Sequence, residues 1–110
     1  MKTEIELNLE LEKLKQTHGK VRELTVYLDT DDSSKVAVLF LRKPDRATRK
    51  MVNDLISKGK YDTAAISCLK ALYLGGDSLD LIINNDDALE SAGMGVVDLL
   101  EVQKAELKKN

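Results

Sequence analysis

The stretch Leu39-Phe40-Leu41-Arg42-Lys43-Pro44-Asp45-Arg46-Ala47-Thr48 decides how this chain is built. Its first residues close a run from Val36 to Leu41 that is almost continuously apolar and β-prone, which predicts a well-buried strand. Pro44 has no amide to donate to a ladder, so the strand ends before it. Asp45 then stands where its carboxylate can accept from the free amides of a following helix. The chain passes from sheet to helix at Pro44.

Upstream, Leu24, Val26 and Leu28 alternate with polar residues and predict a strand within 20–28, and 29–35 (Asp-Thr-Asp-Asp-Ser-Ser-Lys) reads as a turn. The two strands form an antiparallel hairpin, which needs helices on one face to be stable. Residues 3–18 carry Leu7, Leu11, Leu14 and His18 at helical spacing, although Ile5, Leu7, Leu9 and Leu11 also alternate. Helix is favoured because Leu, Glu and Lys are strong helix formers. Gly19 is the expected stop, with Lys15 and His18 at the negative end of the dipole.

Downstream, Met51, Val52, Leu55 and Ile56 make the apolar stripe of a helix ended by Gly59. Asp62 is the expected cap of the next helix, whose inner face holds Ala65, Cys68, Leu69, Leu72 and Tyr73. Gly75-Gly76 reads as its left-handed close. Leu79 to Ile83 is a third strand or a buried connector. Asp87 with Glu90 suggests a capping box for a last helix carrying Leu89, Ala92, Val96, Leu99, Leu100, Gln103 and Leu107. Gly93 and Gly95 suggest a break near Met94. Lys104, Lys108 and Lys109 suit its C-terminal end. The expected fold is α+β: a leading helix, an antiparallel hairpin, then three or four helices packed on one face. It makes a single domain over 1–110, with the N-terminal helix (1–18) a candidate mobile element.

At 110 residues the chain has room for one core. With 43% hydrophobic and 33% charged residues it is globular, and with four aromatic residues, Tyr27, Phe40, Tyr61 and Tyr73, the core must be aliphatic. Cys68 is the only cysteine, which excludes an internal disulfide and fits a reducing compartment. Neither a secretory signal nor an apolar run of membrane-spanning length is visible, so a cytoplasmic protein is expected. The net charge of −2 gives no global reason to bind nucleic acid.

Charge is segregated. Arg42, Lys43, Arg46, Arg49, Lys50, Lys58 and Lys60 face only Asp45 and Asp54 within 42–60, whereas 77–101 holds seven acids and neither Lys nor Arg. Either the two stretches attract each other within the molecule, or they meet between subunits or steer a charged partner.

No catalytic constellation emerges. His18 reads as a helix-end residue and Cys68 as a buried small hydrophobe. Asp29, Asp31 and Asp32 partly match a calcium loop, but Ser34 stands where Gly is required and Phe40 where a bidentate Glu is required. Gly75-Gly76-Asp77 lacks the rest of a phosphate loop, and capping accounts for Asp86-Asp87. The basic residues of 42–60 are interleaved with a core stripe and have no aromatic neighbours for base stacking. No cofactor, metal, nucleic acid or membrane is expected.

The order of these features resembles the small tail assembly chaperones of tailed phages and prophages. The likeness runs through a Glu/Lys-rich leading helix, a hairpin ending in Arg42-Lys43-Pro44-Asp45-Arg46-Ala47-Thr48, helices ending in Leu74-Gly75-Gly76-Asp77, an acidic segment, and a final helix closing on Lys104 to Lys109. It implies a non-enzymatic protein of the bacterial host cytoplasm that binds tape measure protein, tail tube protein or both, and that can self-associate. The alternative is a small cytoplasmic protein–protein adaptor with another partner; a small enzyme would need a polar pocket of titratable groups. The candidate binding residues are Val96, Val97 and Leu100 on the last helix, whose apolar face exceeds one core stripe. Arg42, Arg46 and Arg49 are candidates for a head-to-tail contact with Asp80, Asp86 or Asp87 of a neighbour.

Overall fold

Thr3 opens the first helix in a reciprocal cap: its hydroxyl accepts from the Glu6 amide at 3.2 Å, and the Glu6 carboxylate reaches back to Thr3. This helix, α1 (Glu4–His18), ends at Gly19, whose φ of 75° suits a residue without Cβ. The structure is a computed structural model and describes residues 1–100. The remaining elements are β1 (Arg22–Tyr27), β2 (Val36–Leu41), α2 (Arg46–Ser57), α3 (Tyr61–Leu72), β3 (Tyr73–Gly76), α4 (Asp80–Ile83) and α5 (Asp86–Leu100). The expected continuation of the last helix through Gln103 and Leu107, with Lys104, Lys108 and Lys109, lies outside the described residues.

The hairpin forms as expected, with Val26 opposite Ala37 and Leu24 opposite Leu39. Asx hydrogen bonds from the Asp31 amide to Asp29 and from the Ser34 amide to Asp32 hold its turn. A third strand extends the sheet in the order β1-β2-β3, all antiparallel. Gly75 and Gly76 therefore belong to a strand rather than to a helix end: Gly76 pairs with Leu39 and Gly75 with Phe40. The Leu79–Ile83 run supplies the short α4 instead of a strand.

The helix caps also differ from expectation. Lys60 occupies the N-cap position of α3 and no side chain caps it, while Asp62 sits in the first turn. At α5 the Asn85 side chain, not Asp87, accepts from the amides of Asp87 (3.1 Å) and Ala88 (3.3 Å). Asp45 caps α2 as expected, accepting from the Thr48 amide at 2.7 Å. α5 runs unbroken through Gly93 and Gly95. At Gly95 the gain is proximity, because a Cβ there would meet Leu24 Cδ1 at 2.5 Å.

Side-chain alternation divides β2 between two faces. Ala37, Leu39 and Leu41 join Leu24 and Val26 of β1 against Val52, Leu69, Leu72, Ala92 and Val96 of the helices, forming one aliphatic core. On the other face Val36, Val38 and Phe40 line a shallow cavity together with Leu7 and Leu11 of α1. α1 has no buried residue and its Ile5 and Leu9 are exposed. Polar contacts hold it at and just past the end of β3: Gly76 N–H donates to Glu10 Oε1 at 3.0 Å and the Lys2 amide to Asp77 Oδ1 at 2.9 Å, while Lys2 Nζ donates to the same Glu10 oxygen at 2.8 Å. The opposite edge of the sheet is closed by α5, where Ser91 Oγ accepts from the Tyr27 amide at 3.0 Å.

Candidate protein-docking surface

Burial of one face of α5 in the core leaves a second face outside. Ala88, Ala92 and Val96 point inward, and Met94 and Val97 remain 73% and 48% exposed. On one side of Met94 a groove of about 450 Å³ separates α5 from α3, floored by Ala65 and Leu89 and flanked by Ile56 and Tyr61. On its other side a groove of about 610 Å³ lies between α5 and β1, bordered by Leu24, Tyr27 and Gly95. Met94 is the ridge between them and lines both. Gly93 opens onto the first groove, with no atom within 4 Å of where its Cβ would stand.

Among the described residues the charged side chains lining these grooves are all acidic. Asp62, Asp86 and Glu90 border the first, and Asp29, Asp87, Glu90 and Asp98 border the second. Asp29 has Lys35 at 3.8 Å and Asp87 receives long hydrogen bonds from Thr30, while the other acids have no ion-pair partner among the described residues. An apolar floor under an acidic border suits a ligand with apolar anchors and a positive edge.

The residues singled out in the sequence fall in different settings. Val97 lies on this surface. Val96 is 2% exposed and belongs to the core, and Leu100 packs half-buried against that core. Arg42 is engaged within the molecule, donating from Nε to the Ala71 carbonyl at 3.2 Å and pairing with Asp45 at 3.3 Å. Arg49 is half-buried with its Nε unpartnered, and Arg46 is exposed. No ion pair joins 42–60 to the acidic segment among the described residues. Met94 was not singled out, because its glycine neighbours read as a break in the helix. The usable signal was its spacing from Glu90 and Val97, which places all three on one face.

Burial and capping account for Cys68 and Asp45. Cys68 is fully buried in α3, and burial pushes its thiol up to about 11, where thiolate is scarce at neutral pH. Asp45 is held below its ordinary value by the Thr48 amide first and by Arg42 after it, as expected for a cap. Among the described residues no three His, Cys, Asp or Glu side chains are grouped to hold a metal ion. No helix there is long and apolar enough to cross a membrane. Comparison with protein families, curated proteins and solved structures found no match.

Proposed function

We propose that this chain is a non-enzymatic, phage or prophage tail assembly chaperone-like protein of the bacterial host cytoplasm, binding tape measure protein, tail tube protein or both. The observation that carries the partner-binding part is the exposed pair Met94 and Val97 above an aliphatic groove, on a helix whose other face already closes the core. A flexible thioether beside an open groove suits contact with varied apolar side chains. The tail-assembly part rests on the order of sequence features from the Glu/Lys-rich leading helix to Leu74-Gly75-Gly76-Asp77.

The proposal includes self-contact through the basic α2 region, for which Arg46 is the exposed arginine and Arg49 its half-buried neighbour. Size-exclusion chromatography with light scattering, over a range of concentrations and with a helical fragment of a co-encoded tape measure protein, tests the reading. Co-elution is the expected result. A strict monomer that ignores tape measure and tail tube protein would overturn it in favour of an adaptor with another partner. Arg46→Glu with Arg49→Glu should weaken self-association in ultracentrifugation, and unchanged assembly would remove that contact from the proposal.

A further inference from the structure

The two grooves beside Met94 share a property that narrows the partner. Among the described residues their charged lining is acidic throughout, in a chain whose net charge is only −2. Such a surface selects by sign as well as by shape, since a negative ligand is repelled by Asp62, Asp86, Glu90 and Asp98.

The described elements of a second copy do not fit it. α2 offers Arg46 and Lys50, but of its apolar stripe Val52 is buried and Leu55 and Ile56 pack against its own core, which leaves Met51, 38% exposed, as its one outward anchor. α1 offers the exposed Ile5 and Leu9, but they sit among Glu4, Glu6, Glu10 and Glu12, the wrong sign for an acidic border. The first supplies charge with a single anchor, and the second supplies anchors with repulsion.

We propose that the surface around Met94 receives a cationic amphipathic helix of another protein. Its apolar residues seat between Tyr61, Ile56 and Met94, and its Lys or Arg side chains lie against Asp62, Asp86 and Glu90. The assignment rests on the partner-binding reading above and adds the site and the chemistry of the partner. Helix-in-groove recognition of this kind takes its anchors at i, i+3, i+4 and i+7 from one face of the ligand. Met94 gives the groove an adaptable wall, and the acids give the ligand its orientation and a fast, salt-sensitive encounter.

The test titrates the full chain, ¹⁵N-labelled, with a Leu/Lys amphipathic peptide of about 18 residues, long enough to hold a helix on binding. A peptide of the same composition in scrambled order and a Leu/Glu counterpart serve as comparisons. The Leu/Lys helix should bind at least about tenfold more tightly than either and should weaken as salt rises. Amide shifts should centre on Tyr61, Gly93, Met94 and Val97. Met94→Ser with Glu90→Lys, both at exposed positions, should weaken binding about tenfold or more with an unchanged melting curve.

Equal affinity for the scrambled peptide would reduce the surface to non-specific charge and overturn the proposal. So would shifts centred on Ile5 and Leu9 of α1. A tape measure fragment that still binds the double variant at full strength would overturn the groove while leaving the tail-assembly reading standing. Binding of the Leu/Lys helix at Met94 with no binding of tail proteins would do the reverse.

Discussion

Asp77 and Val38 are joined twice: the Asp77 amide donates to the Val38 carbonyl at 2.8 Å, and the Val38 amide donates to Asp77 Oδ2 at 2.9 Å. Asp77 is 3% exposed, and its Oδ1 also accepts from the Lys2 amide. One carboxylate thus extends the ladder where β3 ends and ties down the start of α1. Two amides converge on the two oxygens, so Asp77→Asn must turn an amide NH₂ toward one of them. The expected cost is about 1–3 kcal/mol, the range for a buried donor left without an acceptor. Chemical denaturation followed by circular dichroism measures it, and a change within error would mean that another group satisfies both amides.

Two glycines should respond to alanine with opposite signs. Gly76 has φ of 97°, and a Cβ there would press on the Val38 carbonyl and the Leu39 Cα, backbone that cannot swing aside. Gly76→Ala should cost more than about 2 kcal/mol from the positive φ and the displaced strand together. Gly93 is helical, with open space around it, so Gly93→Ala should stabilise by up to about 1 kcal/mol through helix propensity. Melting temperatures of the pair check the ordering.

What the sequence disclosed and what it hid follow the reach of each interaction. The hairpin, the Pro44–Asp45 junction and the Gly19 stop were legible because each depends on neighbours a few residues apart. β3 was hidden because Tyr73-Leu74-Gly75-Gly76 carries the glycines of a helix end. Its strand character comes from the free edge of β2, and its glycines from the close approach of Glu10 to Gly75 and of Val38 and Leu39 to Gly76. The same holds for the docking surface. Val97 was visible as surplus apolar area, whereas the capture of Arg42 by the distant Ala71 carbonyl and the twin grooves beside Met94 depend on tertiary placement.

Acid should weaken the α2 cap. Asp45 lies below its ordinary value of 3.8 in the folded protein because the Thr48 amide, and then Arg42, favour its charged form. A lowered folded value means that its contribution is present above 3.8 and is lost as pH falls from there through the folded value. Asp45→Asn keeps an acceptor for the Thr48 amide without the titrating charge. Its stability should therefore fall less than the parent's on going to low pH. Identical acid limbs in urea titrations would show that the cap does not contribute to the pH dependence.

Cys68 should be silent to thiol reagents until the protein opens. It is fully buried and its thiol is pushed up to about 11, so both access and thiolate are missing at neutral pH. Labelling by a chromogenic disulfide should proceed at the rate of unfolding and become immediate in denaturant. Fast labelling of the native protein would place the α3 helix in a more open state than the core packing implies.

Glu10 carries the last prediction, because it decides whether α1 acts as part of the fold or as a separable arm. The helix buries no residue, and beside the Lys2–Asp77 bond its polar hold on the sheet runs through Glu10 Oε1, which receives both the Gly76 amide and Lys2 Nζ. The raised value of Lys2 has that hydrogen bond as its largest cause. Glu10→Ala removes both contacts and leaves the α1-independent core of Leu39, Leu69 and Val96 untouched. Hydrogen exchange should therefore accelerate at the Gly76 amide and along α1, while amides of β2 and α3 keep their protection. Acceleration that spreads through β2 and α3 would mean that α1 and the core open as one unit, and the helix would then have to be counted among the elements that specify the fold.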